Sequence, residues 1–204
     1  MERWILAGLI GLPFTISVAT SVGAEENHRQ LGAHEHGHGS FNIAIEGKRV
    51  SMELEAPGAD IVGFEHKATT DDQKASVANA EKILKKLSNV VGLPAAAGCQ
   101  IQQANVELHI EEAEDHDEHK HSHDKTEAAK TDTVETEEEA SHSEFHAEYE
   151  LTCALPEKLV ELTFPYFNNF KGAEELEVSI VGPKSQKKFE VERDTGKINL
   201  GGII

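Results

Sequence analysis

Apolar and polar residues alternate along much of this chain, which is the pattern of β-strands with one buried face. In "SFNIAIEGKRVSMELEAP" (residues 40–57), three apolar positions alternate with polar ones before the turn "EGK", and three more alternate after it. This pattern predicts a β-hairpin. Further strands are predicted in "CQIQQANVELHI", "EFHAEYELTCAL", "LVELTF", "LEVSIV", "KKFEVE" and "KINL".

One stretch has helical spacing instead. "DDQKASVANAEKILKKLSNVVGLP" (residues 71–94) carries apolar residues three and four apart, and Asp71 and Asp72 suit the first turn of a helix. Gly92 and Pro94 are expected to end the helix. Many strands together with one good helix predict an α+β fold that is rich in β-structure.

A weak internal sequence repeat suggests that the strands form two groups. "MELEAP" and "VELTFP" both place Glu-Leu shortly before Pro, and each is followed by a loop that contains Phe. The mature chain has a length that suits a single domain, so we expect one domain over residues 25–204. It would hold two related lobes of antiparallel strands, at about residues 25–110 and 144–204, with one main helix.

Residues 111–143 interrupt this pattern. They have almost no large apolar residue and are rich in Glu, Asp and His. Such a segment cannot bury enough surface to offset the entropy lost on ordering. We expect a flexible, disordered insertion within the domain.

The first 24 residues have the features of a signal peptide. An apolar stretch, "WILAGLIGLPFTISVA", follows Arg3, and the small residues of "SVGA" suit cleavage after Ala24. A membrane anchor is the alternative, but the apolar run is short and interrupted and no basic cluster follows it. The mature chain is therefore expected to be exported, without stable membrane insertion.

Charge and cysteine content narrow the function further. A net charge of −18 argues against partners such as nucleic acid or an anionic membrane surface and favours cations. Cys99 and Cys153 are expected to form one disulfide, because exported proteins are oxidised and a Cys-based metal site usually needs more thiolates or closer spacing.

Histidines supply the candidate chemistry. In "AHEHGHG", His34, His36 and His38 occupy every second position, so they would share one face of an extended chain if the strand begins that early. Neutral imidazole is a common zinc ligand and also suits copper and nickel. We predict a metal site here, with a frayed N-terminal segment as the alternative.

A second histidine group lies in the insertion, where imidazole has no packing role. We expect this tract to bind several ions loosely, because each site must order the chain as it forms. This group, in "HDEHKHSH", consists of His116, His119, His121 and His123.

Two further histidines, His66 and His146, lie outside both groups. Taken alone, each would be a surface residue.

The sequence contains no catalytic motif. HExxH, GxSxG and a glycine-rich phosphate loop are missing, and the clustered acidic residues occur mostly in the insertion. We therefore expect that the protein is not an enzyme. A metalloenzyme would need an open zinc position and a hydrolysable substrate.

Several longer segments occur in a recognisable order. They are "GAHEHGHGSFNIAIEG", "ELEAPGADIVGFEHKATTDDQKA", "LPAAAGCQI" and, after the insertion, "HAEYELTCALPEKL". In this order the chain resembles the ZrgA family of periplasmic zinc-binding proteins, long catalogued as a domain of unknown function. The resemblance covers nearly all of the mature chain.

The resemblance implies a bacterial periplasmic protein that takes part in zinc acquisition, with a zinc ABC importer or its solute-binding protein as partner. It also implies two β-rich halves, a disulfide between Cys99 and Cys153, and a mobile His-rich segment. The implied ligand candidates are His34, His36 and His38 in the HEHGH motif, His66 in "GFEH" and His146 in "FHAEY".

The expected mechanism is capture of zinc and its hand-off to an uptake system. Copper and nickel remain alternatives, because all-His sites hold copper more tightly than zinc. Two other functions fit the same residues. One is a zinc or copper buffer or resistance protein without a transporter partner, and the other is a structural or adhesion module of the envelope.

Overall fold

The computed structural model describes residues 35–111 and 142–204. The expected signal peptide, His34 and most of the insertion, including His116, His119, His121 and His123, lie outside these residues. The strands are β1 (His38–Glu46), β2 (Arg49–Pro57), β3 (Cys99–Glu111), β4 (His142–Cys153), β5 (Glu161–Thr163), β6 (Glu175–Val181), β7 (Gln186–Glu192) and β8 (Lys197–Asn199). The helices are α1 (Gly58–Val62), α2 (Asp71–Leu84) and α3 (Tyr166–Asn169).

Six of these strands form one sheet in the order β3-β4-β2-β1-β6-β7, and β5 and β8 form a small second sheet. The neighbouring strands are antiparallel except for β1 and β6, which are parallel. The expected α+β class with one main helix is confirmed. Strands from the two halves of the sequence are joined in one sheet through the β1–β6 pair.

The predicted hairpin is confirmed as β1 and β2, and Glu46 pairs with Arg49 across the turn. Alternate residues of these strands are buried, as the pattern requires. The strand predicted around "EFHAEYELTC" is confirmed as β4 and buries its apolar residues on the same side. Helix α2 packs on this apolar face, where the hydroxyl of Tyr149 donates a 2.6 Å hydrogen bond to the carbonyl of Leu84.

Helix α2 starts where it was expected and ends earlier. Thr70 caps its N-terminus: the Thr70 hydroxyl accepts from the amide of Gln73, and the Gln73 side chain accepts from the amide of Thr70. The helix ends at Leu84 and does not continue to Gly92. The side-chain amide of Asn89 donates to the carbonyl of Ile83, which satisfies an end group of the helix.

The disulfide between Cys99 and Cys153 is confirmed, and it joins the start of β3 to the end of β4. Within residues 35–111 and 142–204, no helix has the length and apolar character needed to cross a membrane.

The other face of the large sheet is polar. Because side chains alternate across a strand, the residues between the apolar positions point to this side, and glutamate is the most frequent residue type among them. We call it the acidic face. Its glutamates and histidines include Glu53, Glu55, Glu107, Glu144, Glu148, Glu175, Glu177, Glu190, Glu192, His38, His109 and His146.

Candidate metal centre

Strands β2 and β4 bring three potential ligands together on the acidic face. Glu55 lies directly opposite His146 in the antiparallel pair, and Glu53 lies two residues before Glu55 on the same side of β2. One side-chain donor atom from each of Glu53, Glu55 and His146 falls within 4.8 Å of the others. We call this group the sheet-face centre.

The imidazole of His146 is held between carboxylates. Its Nε2 lies 2.6 Å from Oε2 of Glu144, and its Nδ1 lies 3.9 Å from Oε1 of Glu55. A carboxylate accepts hydrogen bonds, so the contact with Glu144 places a proton on Nε2. In the neutral ring, Nδ1 then carries the lone pair, and it faces Glu55.

Burial and a ring-to-ring contact support this geometry. The Glu144 residue is only 3% exposed and the His146 side chain 13% exposed. The ring of His109 on β3 lies against that of His146, with 4.4 Å between their centroids. On the opposite side, the hydroxyl of Ser40 donates to Oε2 of Glu55 at 3.2 Å. The site is therefore supported by β1, β3 and β4 as well as by β2.

The donor set suits a divalent cation. Zinc binds imidazole nitrogen and carboxylate oxygen at about 2.0–2.2 Å, so donors this close can converge on one ion through small rotations. Two carboxylates balance the charge of the ion. Three protein ligands leave a further position for water or for a ligand from another molecule.

The surroundings of the sheet-face centre add negative charge. A cavity of about 350 Å³ opens on the acidic face and is lined by carboxylates and one imidazole, among them Glu55, Glu144, Glu175, Glu177 and His38. Elsewhere on this face, Arg49 neutralises Glu150. The Arg49 guanidinium donates a hydrogen bond to the Glu150 carboxylate and holds the pKa of that carboxyl below its usual value. The charge near His146 therefore favours the approach of cations.

A comparison with known protein families indicates which ion the sheet-face centre could bind. The family described as "ZrgA family zinc uptake protein" matches residues 33–200. The chain belongs to the ZrgA family. A comparison with the curated proteins finds no match. Membership agrees with the sequence resemblance and connects the protein with zinc.

The structure separates two histidines of the HEHGH motif of this ZrgA chain. The strand begins at His38, and Gly37 before it has a φ of +89°, so the alternation that would align the two side chains does not extend back to His36. The Nε2 of His36 lies 3.1 Å from Oε1 of Glu65, whereas Nδ1 of His38 lies 3.7 Å from Oε1 of Glu175.

His66 and His146 also contact different groups. The His66 ring stacks on Phe64 with 5.0 Å between centroids, and its nitrogens contact the carbonyl of Lys67 and the side chain of Gln73. His146 contacts Glu55, Glu144 and His109 on the sheet. The role of each histidine as a zinc ligand in this ZrgA protein stays a prediction.

The carboxylates of the sheet-face centre were missed in the sequence. Each of two strands of this ZrgA chain indicates part of the site. The alternation in "MELEAP" places Glu53 and Glu55 on the polar face of one strand, and the alternation in "EFHAEYE" places His146 on the polar face of another. Periodicity within each strand assigns these residues to a face. Only the pairing of β2 with β4 makes them neighbours.

Proposed function

We propose that this protein is a non-catalytic, zinc-binding component of zinc uptake, which captures the ion in the periplasm and hands it to an uptake system. The supporting observation is the convergence of Glu53, Glu55 and His146 on the exposed face of a chain from a zinc uptake family. Zinc is the cargo in this proposal, and the protein holds it only for a time.

The open coordination position supports hand-off. A site with three protein ligands exchanges its fourth ligand without first losing a protein one, so an acceptor histidine or carboxylate can begin to bind before the ion leaves. Glu53, Glu55 and His146 are all partly accessible to solvent. A fully enclosed four-ligand site would hold the ion more permanently.

Family membership favours zinc over copper. Imidazole suits zinc, copper and nickel, so a site made only of histidines gives copper the advantage. The sheet-face centre offers one imidazole and two carboxylates, and carboxylates are harder ligands than imidazole. Divalent copper still binds such N/O donors more tightly than zinc does, so we propose zinc as the ion that this centre carries because the chain belongs to a zinc uptake family.

The periplasm is the proposed compartment. The signal-peptide pattern of residues 1–24 supports export, and the disulfide between Cys99 and Cys153 suits an oxidising environment. In that compartment the natural acceptor of zinc is an ABC-type importer or its solute-binding protein. The acidic face, with an open zinc position, is the surface that we propose meets this acceptor.

Zinc binding by the mature protein tests the proposal. The double variant Glu53→Gln, Glu55→Gln should bind about one tight zinc fewer per chain than the wild type in equilibrium dialysis. The control is Glu190→Gln, Glu192→Gln, which makes the same charge change at the same spacing on β7 of the same face. Equal losses in both variants would show a general charge effect and would contradict a specific centre.

A further inference from the structure

Strand β3 lies at one edge of the large sheet, where β4 is its only strand partner in the described part of the chain. The strand at the other edge, β7, carries Lys187 and Lys188, a common means of keeping a sheet edge from pairing with another chain. Strand β3 is longer and contains no Lys, Arg or Pro. Its bulge lies near its start, between Ile101 and Gln103, so residues 103–111 offer a regular edge to a further strand.

The two faces of β3 carry different chemistry, because side chains alternate across a strand. Glu107 and His109 belong to the acidic face, where their side chains are 73% and 50% exposed, and Nε2 of His109 lies 3.6 Å from Oε2 of Glu107. Val106, Leu108 and Ile110 lie on the apolar face, and the last two are only partly buried there. A strand added at this edge would therefore meet carboxylate and imidazole on one face and apolar side chains on the other.

One antiparallel register makes this edge complementary to itself. If two copies pair through β3 about a twofold axis at Leu108, Glu107 of each copy lies opposite His109 of the other. On the other face, Val106 lies opposite Ile110. An axis one residue earlier would place the two copies of Glu107 opposite each other, which destabilises a sheet. An axis one residue later would leave Glu107 without an imidazole opposite it.

Pairing of these strands needs a further source of stability. One pair of edge strands is a small interface beside the roughly 1,200–2,000 Å² that stable complexes bury. Each chain also has a formal net charge of −18, so two copies repel each other. A divalent cation between the copies would offset both effects.

The groups around the twofold axis can hold such a cation. Residues directly opposite in an antiparallel pair have Cβ atoms only about 4.5–5.5 Å apart, and within one chain Glu107 and His109 already contact each other. The two copies together bring two imidazoles and two carboxylates to the axis. These are the four N/O ligands that zinc takes in closed sites, and the two carboxylates balance its charge.

We propose that a second copy of this chain pairs with β3 in this register, and that zinc joins the copies through Glu107 and His109 of each. One chain supplies only half of the donors, so this site is incomplete without the second copy. The inference rests on the proposed function only in taking zinc as the ion. The sheet-face centre remains open in the dimer, because its ligands lie on β2 and β4 and the contact is at the outer edge of β3.

An edge that stays in water is the competing explanation. Glu107 would then serve only to keep other strands away, and its contact with His109 would be an ordinary surface ion pair, which contributes little. That explanation predicts a monomer at every zinc concentration. The dimer instead requires zinc.

Analytical ultracentrifugation of the mature protein tests the proposal. The protein should sediment as a monomer in EDTA and as a dimer, with twice the mass, in zinc. Glu107→Gln and His109→Gln should each stay monomeric in zinc, because each removes half of the donors at the axis. The matched control is Glu190→Gln, on β7 at the other edge of the same face, which should dimerise like the wild type. A monomer in zinc, a dimer in EDTA, or a zinc dimer that either variant retains would overturn the proposal.

A cysteine at the twofold axis tests the register. Leu108 meets its own copy there, so a short bismaleimide should link Leu108→Cys into a covalent dimer in zinc and not in EDTA. The native cysteines do not interfere, because they are joined in the disulfide. Ala104→Cys, on the same face of β3 but more than about 20 Å from its own copy in this register, should not cross-link. Equal cross-linking of both variants would overturn the register.

Zinc counting on the same samples separates this inference from the proposed function. A wild type that binds tight zinc and stays monomeric would overturn the dimer and leave the proposed function intact. Glu53→Gln, Glu55→Gln should still dimerise in zinc, because its changes are on β2. If that variant dimerises without losing any tight zinc, the sheet-face centre fails and the dimer stands.

Discussion

The Nε2 atom of His146 lies 2.6 Å from Oε2 of Glu144, on the side of the ring opposite Glu55. A ligating histidine in zinc proteins usually donates its other N–H to a carboxylate in this way, which fixes the tautomer and increases the basicity of the ligating nitrogen. If zinc binds at the sheet-face centre, Glu144 would orient His146 toward the ion in this way without being a ligand itself.

Glu144→Gln should weaken zinc binding at the sheet-face centre by about tenfold or more, the usual effect of losing a carboxylate behind a ligating histidine. The glutamine keeps the size of the side chain and an oxygen that can accept from His146, so the fold should be retained. Competition titration against a zinc-sensitive chelator measures the change. Glu190→Gln, on the same face, is the control, and equal affinity in the two variants would contradict the role of Glu144.

The strands of this fold were predictable because their alternation is local. A buried face with a period of two residues identifies β1, β2 and β4 without knowledge of their partners. The helix end at Leu84 was not predictable in this way, because the helical spacing of apolar residues runs on to Leu87, and the Ile83 carbonyl is satisfied by the side chain of Asn89 beyond the helix. Ile101 is an apolar residue of the predicted strand "CQIQQANVELHI" and yet is 50% exposed, because it lies on the edge strand β3 beside a bulge.

The candidate site was predictable only in part, for a related reason. His146 could be placed on the polar side of its strand, and its carboxylate partners on β2 could be placed on a polar side as well. Their meeting depends on strand order and register, which local periodicity does not contain. The same is true of Glu65, which contacts histidines from two distant parts of the chain.

Removing the disulfide should destabilise the fold. The bond between Cys99 and Cys153 closes a loop with a sequence separation of 54, and the loop-entropy estimate for such a length is about 4 kcal/mol. Urea unfolding of Cys99→Ala, Cys153→Ala, without zinc, should show this loss relative to the oxidised wild type. The reduced wild type should match the variant. A difference below about 1 kcal/mol between oxidised and reduced protein would contradict a stabilising bond.

Both tyrosines of the chain should resist ionisation in the folded protein. Tyr149 and Tyr166 are the only two, and burial raises the pKa of each above its ordinary value of 10.0. Because folding keeps these phenols protonated, their contribution to stability is complete below about pH 10 and is lost as the pH rises above it. Ultraviolet absorbance should show tyrosinate forming only together with unfolding.

Circular dichroism on the same samples provides the comparison for the tyrosine titration. Tyr149→Phe should remove about half of the tyrosinate signal and, by losing the hydrogen bond to Leu84, destabilise the fold by about 1 kcal/mol. Gradual ionisation near pH 10 in a protein whose circular dichroism is unchanged would contradict the burial argument.

Replacing residues 112–141 by Asn-Gly should lower the number of loosely bound zinc ions and leave the tight ones. Glu111 and His142 are direct partners in the β3–β4 pair, so a two-residue hairpin turn can join them. The three residues of the sheet-face centre remain in this variant. Metal-buffered zinc titration measures both classes of site, and loss of all tight binding would place the tight ligands in the insertion.

Growth of a strain that lacks the gene separates zinc uptake from zinc buffering. If the protein supplies an importer, the strain should grow more slowly than the wild type in medium with a zinc chelator, and added zinc should restore growth. The wild-type gene should complement the defect, whereas Glu53→Gln, Glu55→Gln should not, because the variant lacks the carboxylates of the sheet-face centre. The control Glu190→Gln, Glu192→Gln should complement fully. Sensitivity to excess zinc, with normal growth under chelation, would instead identify a buffer or resistance protein.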